Sequence, residues 1–382
     1  MKVGDKIKTT SARKEKEMQG EGPEDTRQIL TRRQFAGLVI AAGVVSTSTI
    51  LLGGCSNNAT DAKAIETDKQ VDAPQEKIVI DAKKNEFTIP DKVDRIAITC
   101  NGGTTHEVAI FGGADKIVAQ PPMKAFPQLL KMYPRFKDVI NAGSFDDLNI
   151  EALIAQEPDI ALVGIKSDKG NAQIVDIGIP IYVMLIGWAA IDTLKQEFLN
   201  VGQILGNEQK AQELVDYWDE KLNALNSHVA KVPQAERKKV YYLSAADITK
   251  ASNGDWGRTW IEQIGAEFAV PEADLNGDVT VEQVMKWNPD VIVVQGGNDL
   301  NELYSNAQIQ DLKAIKNKQI FSCPIGGFWW DRPSPEATLG FQWLAKMVYP
   351  DYMEDVDIEQ ETKYFFKQFY GHDLSAEEFL SF

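Results

Sequence analysis

Residues 207–231 read NEQKAQELVDYWDEKLNALNSHVAK. Ala211, Leu214, Val215, Trp218, Leu222, Leu225 and Val229 recur at steps of three and four, so they share one helical face. A helix over those 25 residues is about 37 Å long, roughly the breadth of a domain. Pro233 stops it. No strand signal appears between Ala189 and Ala230, whereas short apolar runs alternate with helical ones on either side. The stretch therefore reads as one long rod between two α/β halves.

Upstream, Ile78-Val79-Ile80 and Phe87-Thr88-Ile89 flank the polar Lys83-Lys84-Asn85, a hairpin signal. Arg95–Cys100 reads as a buried strand running into Asn101-Gly102-Gly103-Thr104-Thr105-His106, with a helix following to about Phe111. Strands at 117–119, 159–163 and 181–184 alternate with helices over 148–156 and 170–177. Downstream of the rod, strands at 239–243, 290–294 and 319–322 alternate with helices over 258–264, 280–287 and 334–348. Apolar strands interleaved with helices predict parallel sheets covered on both faces. The halves echo one another: Leu153-Ile154-Ala155-Gln156-Glu157-Pro158-Asp159-Ile160 answers Val284-Met285-Lys286-Trp287-Asn288-Pro289-Asp290-Val291. Each is a helix, a Pro-Asp turn and a strand. The expected fold is α/β, with two Rossmann-like lobes over 77–206 and 232–382 joined by a single long helix over 207–231.

The N-terminus carries a different message. Thr31-Arg32-Arg33-Gln34-Phe35 opens an uncharged run, Ala36 to Gly54, that ends in Leu52-Gly53-Gly54-Cys55. A twin-arginine pair, an apolar stretch and small residues before a cysteine resemble the export signals of bacterial and archaeal lipoproteins. On that reading residues 1–54 are removed and Cys55 carries lipid on its sulfur. The competing reading is an uncleaved membrane-spanning helix, for which 19 uncharged residues suffice. Its glycines and hydroxyl residues dilute it, and the cysteine stands where cleavage needs it. Met18 is an alternative start to Met1. Residues 55–76 are polar and read as a flexible tether. Both readings expect the remainder to be extracytoplasmic and held at the cell membrane.

Composition narrows the partners. The leader takes nine Lys or Arg and six Asp or Glu with it, leaving 31 basic and 50 acidic residues, a charge near −19. Nucleic-acid binding is disfavoured, because it needs basic patches. Adsorption to anionic lipid by charge is disfavoured for the same reason. An acidic surface suits docking on a basic partner. Beyond Cys55 only Cys100 and Cys323 remain, too few for a disulfide framework. Both close strand-like runs, where buried thiols are the plain expectation and a disulfide or shared metal the alternative.

Over about Lys77 to Pro350 the chain resembles the cluster A, or type III, substrate-binding proteins of ABC transporters, which capture cobalamin, ferric siderophores and haem. The resemblance rests on the order of its landmarks. These are the hairpin through Arg95-Ile96, Asn149-Ile150-Glu151-Ala152-Leu153 with Pro158-Asp159, the long helix, Val281-Glu282-Gln283-Val284 with Pro289-Asp290, and Trp330-Asp331-Arg332-Pro333-Ser334-Pro335-Glu336. It implies a cargo between the lobes, an iron complex or tetrapyrrole rather than an intrinsic cofactor, with a ferric siderophore ahead of corrinoid or haem. It also implies a monomer that meets an ABC permease and its ATPase. Glu151 and Glu282 match the family positions where one carboxylate per lobe docks on permease arginines; the alternative is ordinary solvated helix carboxylates.

Open α/β sheets bind ligands beyond the carboxyl ends of their strands. That rule picks out the loops 101–106, 164–167, 186–188, 246–256, 295–298 and 324–332. Trp188, Trp256, Phe328, Trp329 and Trp330 offer flat apolar surface for a macrocycle or catechol, or else belong to the core; Trp260 and Trp343, inside helices, are expected in the core. Arg258 and Arg332 suit an anionic chelate, or serve their own helix and the Pro333–Pro335 turn. Thr105 and His106 lie in the first loop, where the imidazole meets a cargo metal or makes a helix-start hydrogen bond. No H-x-x-x-H or C-x-x-C pattern marks a resident metal site. A lipid-tethered chelatase-like or nitrogenase-like enzyme shares this fold, but no nucleophile motif, phosphate loop or catalytic acid pair accompanies it. A surface sensor without a permease is the third reading.

Overall fold

The computed structural model describes residues 76–382, apart from 253 and 275–278. The export signal, the tether before Glu76 and Cys55 lie outside the described residues. No helix among the described residues is long and apolar enough to cross a membrane.

A short antiparallel hairpin opens the domain, β1 (Ile78–Ile80) and β2 (Glu86–Thr88), with Val79 opposite Phe87. Four parallel strands follow: β3 (Ile96–Ile98), β4 (Ile117–Ala119) and, after the small ribbon of β5 (Gly143–Ser144) and β6 (Asp147–Leu148), β7 (Ile160–Gly164) and β8 (Ile181–Met184). They form a sheet in the order β4-β3-β7-β8. Past the long helix come β9 (Lys239–Leu243), β10 (Glu267–Phe268), β11 (Val291–Val294) and β12 (Ile320–Ser322), also parallel, in the order β10-β9-β11-β12. In each lobe the second strand flanks the first and the third and fourth follow on its other side. β3, β7 and β11 are buried along their whole length, which explains why they are continuous apolar runs without alternation.

The echoed Pro-Asp turns have a job in both lobes. Asp159 Oδ2 accepts from the Asp94 and Arg95 N–H groups at 2.8 and 2.9 Å, and the Asp159 N–H donates to the Arg95 carbonyl. Asp290 Oδ2 accepts from Lys239 N–H at 2.9 Å, and its own N–H donates to the Lys239 carbonyl. Each aspartate thus clasps the start of its lobe's first strand to the start of the third, satisfying backbone groups at the sheet's end.

The long helix runs unbroken over Glu208–Val229 and buries Ala211, Leu214, Val215, Tyr217, Trp218, Leu222, Leu225 and Val229. The sequence expectation holds except for Tyr217, whose hydroxyl reaches Glu361 Oε1 at 2.6 Å. Trp218 is fully buried between Phe198 on the Ile191–Leu205 helix and Phe341 on the Ala337–Val348 helix, at 5.5 and 6.2 Å between ring centres. One indole therefore pins the rod to both lobes. Trp260 and Trp343 stack in the second lobe's core at 6.4 Å. Cys100 and Cys323 are separate buried free thiols, which rules out the disulfide alternative.

Candidate functional site

At the strand tips the lobes touch. The Thr104–Ile110 helix starts from Gly103, and all seven of its residues are buried. A Cβ at Gly103 would stand 3.0 Å from the Pro333 carbonyl and from Ser334, so any side chain here would crowd the facing turn. His106 crosses the same boundary: its Nε2–H donates to the Gly327 carbonyl at 2.7 Å. Because a carbonyl only accepts, the proton sits on Nε2; Nδ1 is buried without a partner. Burial pushes the imidazole down to about 4, with the Gly327 carbonyl opposing, so the ring is neutral.

Gly327 is held from its other side by Glu336. The Gly327 N–H and Trp330 Nε1–H donate to Glu336 Oε2 at 3.1 and 3.0 Å, and the Tyr370 hydroxyl donates to Oε1 at 2.6 Å. Burial raises this carboxyl to about 7 even though those donors pull it down. Around the contact Phe126 packs on Phe328 and Trp329, at 5.0 and 4.7 Å, and His106 on Phe328 at 4.6 Å. The deep part of the interlobe boundary is filled by protein.

This arrangement corrects five expectations, the first being Phe328, which is 1% exposed and packed into this contact rather than open to cargo. His106 is fully enclosed and spent on an interlobe hydrogen bond, which is neither the cargo-metal contact nor the helix-start bond. Thr105 is buried with its hydroxyl donating to Gln120 Oε1 at 3.2 Å. Trp256 is 3% exposed, because the helix begins at Asp255 and turns the indole inward against Phe341. Trp330 has no exposed surface; its N–H is committed to Glu336.

Other residues keep open surface at the strand tips. Trp188 is 53% exposed, the Lys166 ammonium lies 4.3 Å from its ring centre, and the chain reaches it through Ile186 and Gly187, both at positive φ. A β-branched residue in that region is strained, which marks the 186–188 loop as a held geometry. In the second lobe Trp329 is half-buried. Arg332 is positioned by Gln295 Oε1, 2.9 Å from Nη2, and lies over the Tyr242 ring at 5.8 Å, with buried Asp331 4.0 Å from Nε. Arg258 pairs with Glu262 at 2.9 Å and covers Phe268, as the helix-serving reading expects.

Sequence reasoning passed over the acids behind these loops. Glu107, next to His106, and Glu197 are both buried. Glu197 Oε2 accepts the Leu185 N–H at 2.7 Å, just before the Trp188 loop. Burial pushes Glu197 up to about 8; burial and the Glu197 charge hold Glu107 well above the usual carboxylate range. A signal existed: Glu197 falls in phase with Leu194, Val201 and Ile204 on its helix's apolar face. Among the described residues no group of three acidic, histidine or cysteine side chains is arranged to hold a metal ion.

Residues 98–325 match the family model described as periplasmic binding protein. The molybdate-binding protein MolA of Haemophilus influenzae is 26% identical over 323 residues, covering 77% of this chain and 91% of its own. The uncharacterized ABC transporter substrate-binding lipoprotein YvrC of Bacillus subtilis is 24% identical, covering 83% and 96%. The iron(3+)-hydroxamate-binding protein FhuD of the same organism is 22% identical, covering 80% and 94%. A solved structure of the H. influenzae MolA bound to molybdate superposes with a TM-score of 0.70 at 24% identity, covering 78% of this chain and 99% of that one, which speaks to the fold alone. With two parallel sheets of one topology, an unbroken helix between them and a family match over most of the described residues, the chain belongs to the periplasmic binding protein family, the type III solute-binding proteins of ABC transporters.

Proposed function

We propose that the protein is an extracytoplasmic receptor, anchored through lipid on Cys55, that takes an anionic metal complex at the strand tips and delivers it to an ABC permease and its ATPase. One observation carries the choice of an anion: a lysine lies over an exposed indole on one lobe's tips and a positioned arginine stands on the other's. Lys166 has no ion-pair partner among the described residues, and only Asp331 approaches Arg332. Glu151 and Glu282 are the proposed permease contacts.

A ferric siderophore is the first cargo within this class. The flat surface of Trp188 and Trp329 suits a bulky chelate, and FhuD is a relative named for such a complex. A molybdate-like oxyanion is the second. The protein-filled boundary around His106 and Phe328 favours a small cargo, and MolA is a relative named for molybdate.

Tryptophan fluorescence during titration with ferric hydroxamate and catecholate siderophores, molybdate, cobalamin and haem tests this. The expected result is saturable binding of one anionic complex, weakened at least ten-fold by Arg332→Ala or Lys166→Ala, about 1.4 kcal/mol or more. Binding of none of them, or binding indifferent to both substitutions, would sink the proposal.

A further inference from the structure

The last 25 residues, 358–382, touch three parts of the molecule. They begin on the long helix: Glu361 accepts from the Tyr217 hydroxyl at 2.6 Å and pairs with Lys221 at 3.0 Å. They are then built into the second lobe. Phe365 and Phe366 are fully buried, the Tyr370 hydroxyl donates to Glu336, and the Phe382 carbonyl accepts the Ile325 N–H at 3.3 Å.

The segment finally grips the first lobe. Glu378 opens toward the Pro127–Met132 helix, where the Lys131 ammonium lies 2.6 Å from Oε1 and Gln128 Nε2 donates to the same oxygen at 3.3 Å. Glu378 is fixed for this from its own side. Its Oε2 accepts the Ser375 N–H at 2.7 Å, its N–H donates to Ser375 Oγ at 3.1 Å, and the His372 Nε2–H donates to Oε1 at 3.0 Å. The Tyr370 ring also faces Tyr133 of the first lobe at 6.5 Å.

A charged, nearly buried acid that is pre-oriented by its own helix cap and aimed at the other lobe is more than end-of-chain packing needs. We propose that residues 358–382 are a strap that ties the lobes together by a route additional to the long helix and the His106–Gly327 contact, and limits how far they part. One helix fixes the distance between two bodies but leaves them free to rock; a tie at Gln128 and Lys131, added to the one at His106 and Gly327, removes more of that freedom.

Spin labels at Val175→Cys and Lys316→Cys, one exposed site on each lobe, in a Cys55→Ala background, report the interlobe distance by pulsed EPR. Gln128→Ala with Lys131→Ala removes the first lobe's polar hold on Glu378, leaving the Tyr133–Tyr370 contact and the Ser375–Glu378 cap intact. The expected result is a distance distribution at least twice as wide as the parent's. Lys131→Glu, at a side chain open to solvent, places like charges together and gives the same widening should the double variant fold poorly. Lys131→Arg keeps the parent width. Unchanged distributions in the first two variants, or widening in Lys131→Arg equal to that in Lys131→Glu, would overturn the strap.

Discussion

His106 shows how one side chain ties charge to architecture. Its neutral ring is held by burial and donates to Gly327 across the lobes. The folded pKa, about 4, lies below the ordinary 6.5, so the unfolded chain takes up the proton first as pH falls. The contribution is therefore whole above about 6.5 and is lost as pH drops through about 4, on the order of 3 kcal/mol in all. Urea unfolding should show His106→Gln less stable than the parent by about 1–3 kcal/mol at pH 7.5, with the gap closing toward pH 4.5. A constant gap would mean that the ring is not buried in its neutral form. Glu107 and Glu197 act with the opposite sign. Their folded pKa values are raised, so the unfolded chain loses protons first and stability falls as pH rises above about 4.5, through about 8 for Glu197. Glu107→Gln should relieve this, raising the thermal midpoint at pH 8.5 while changing it little at pH 5.5. Equal shifts at both values would show that the two acids do not share a charge problem.

Among the elements, the long helix is where sequence and structure agree best, because a 3.6-residue period over six turns has one reading. Trp218 is its critical residue. Its N–H donates to the Pro335 carbonyl at 3.0 Å, and its ring contacts both flanking helices. Trp218→Ala would leave a cavity and an unpaired carbonyl, costing about 3–5 kcal/mol by chemical denaturation; a loss under about 1 kcal/mol would mean that the rod is pinned elsewhere. The repeated Pro-Asp was legible as a turn, while its clasp on the first strand was not, since the N–H groups that donate to it lie about 50 to 65 residues away. Much of the candidate site was not legible. Trp329 and Trp330 are neighbours of one chemical type, yet one keeps open surface and the other lies in the core, because the turn at the strand tip decides which ring faces inward. β10, two residues long, offers no period to read, and its pairing with β9 supplies what its sequence lacks. The strap was missed because its partners belong to the other lobe.

At the scale of the whole molecule the two lobes repeat a surface as well as a topology. Glu151 is the second residue of the helix capped by Asn149, and Glu282 the second residue of the helix capped by Thr280. Both are exposed and neither makes an ion pair among the described residues. Each stands seven residues before a Pro-Asp that is clasped to its lobe's first strand, so the two carboxylates occupy matching places on the two lobes. Neighbouring N–H groups at a helix start favour such charges by only about 0.3–1 kcal/mol, so stability gives little reason for the match. Docking on a permease gives one: two separated charges fix orientation and speed encounter more than they add affinity. Replacing both with alanine should leave cargo binding unchanged and shift unfolding by less than about 1 kcal/mol. In vesicles carrying the permease and ATPase, the same variant should need at least ten-fold more protein for half-maximal ATPase stimulation, and each single variant should lie between. The parent should lose its advantage as salt rises, because exposed charges are screened beyond about 10 Å at 0.1 M. Half-maximal stimulation at the parent's concentration would remove the latch, and a defect confined to one carboxylate would reduce the contact to a single lobe.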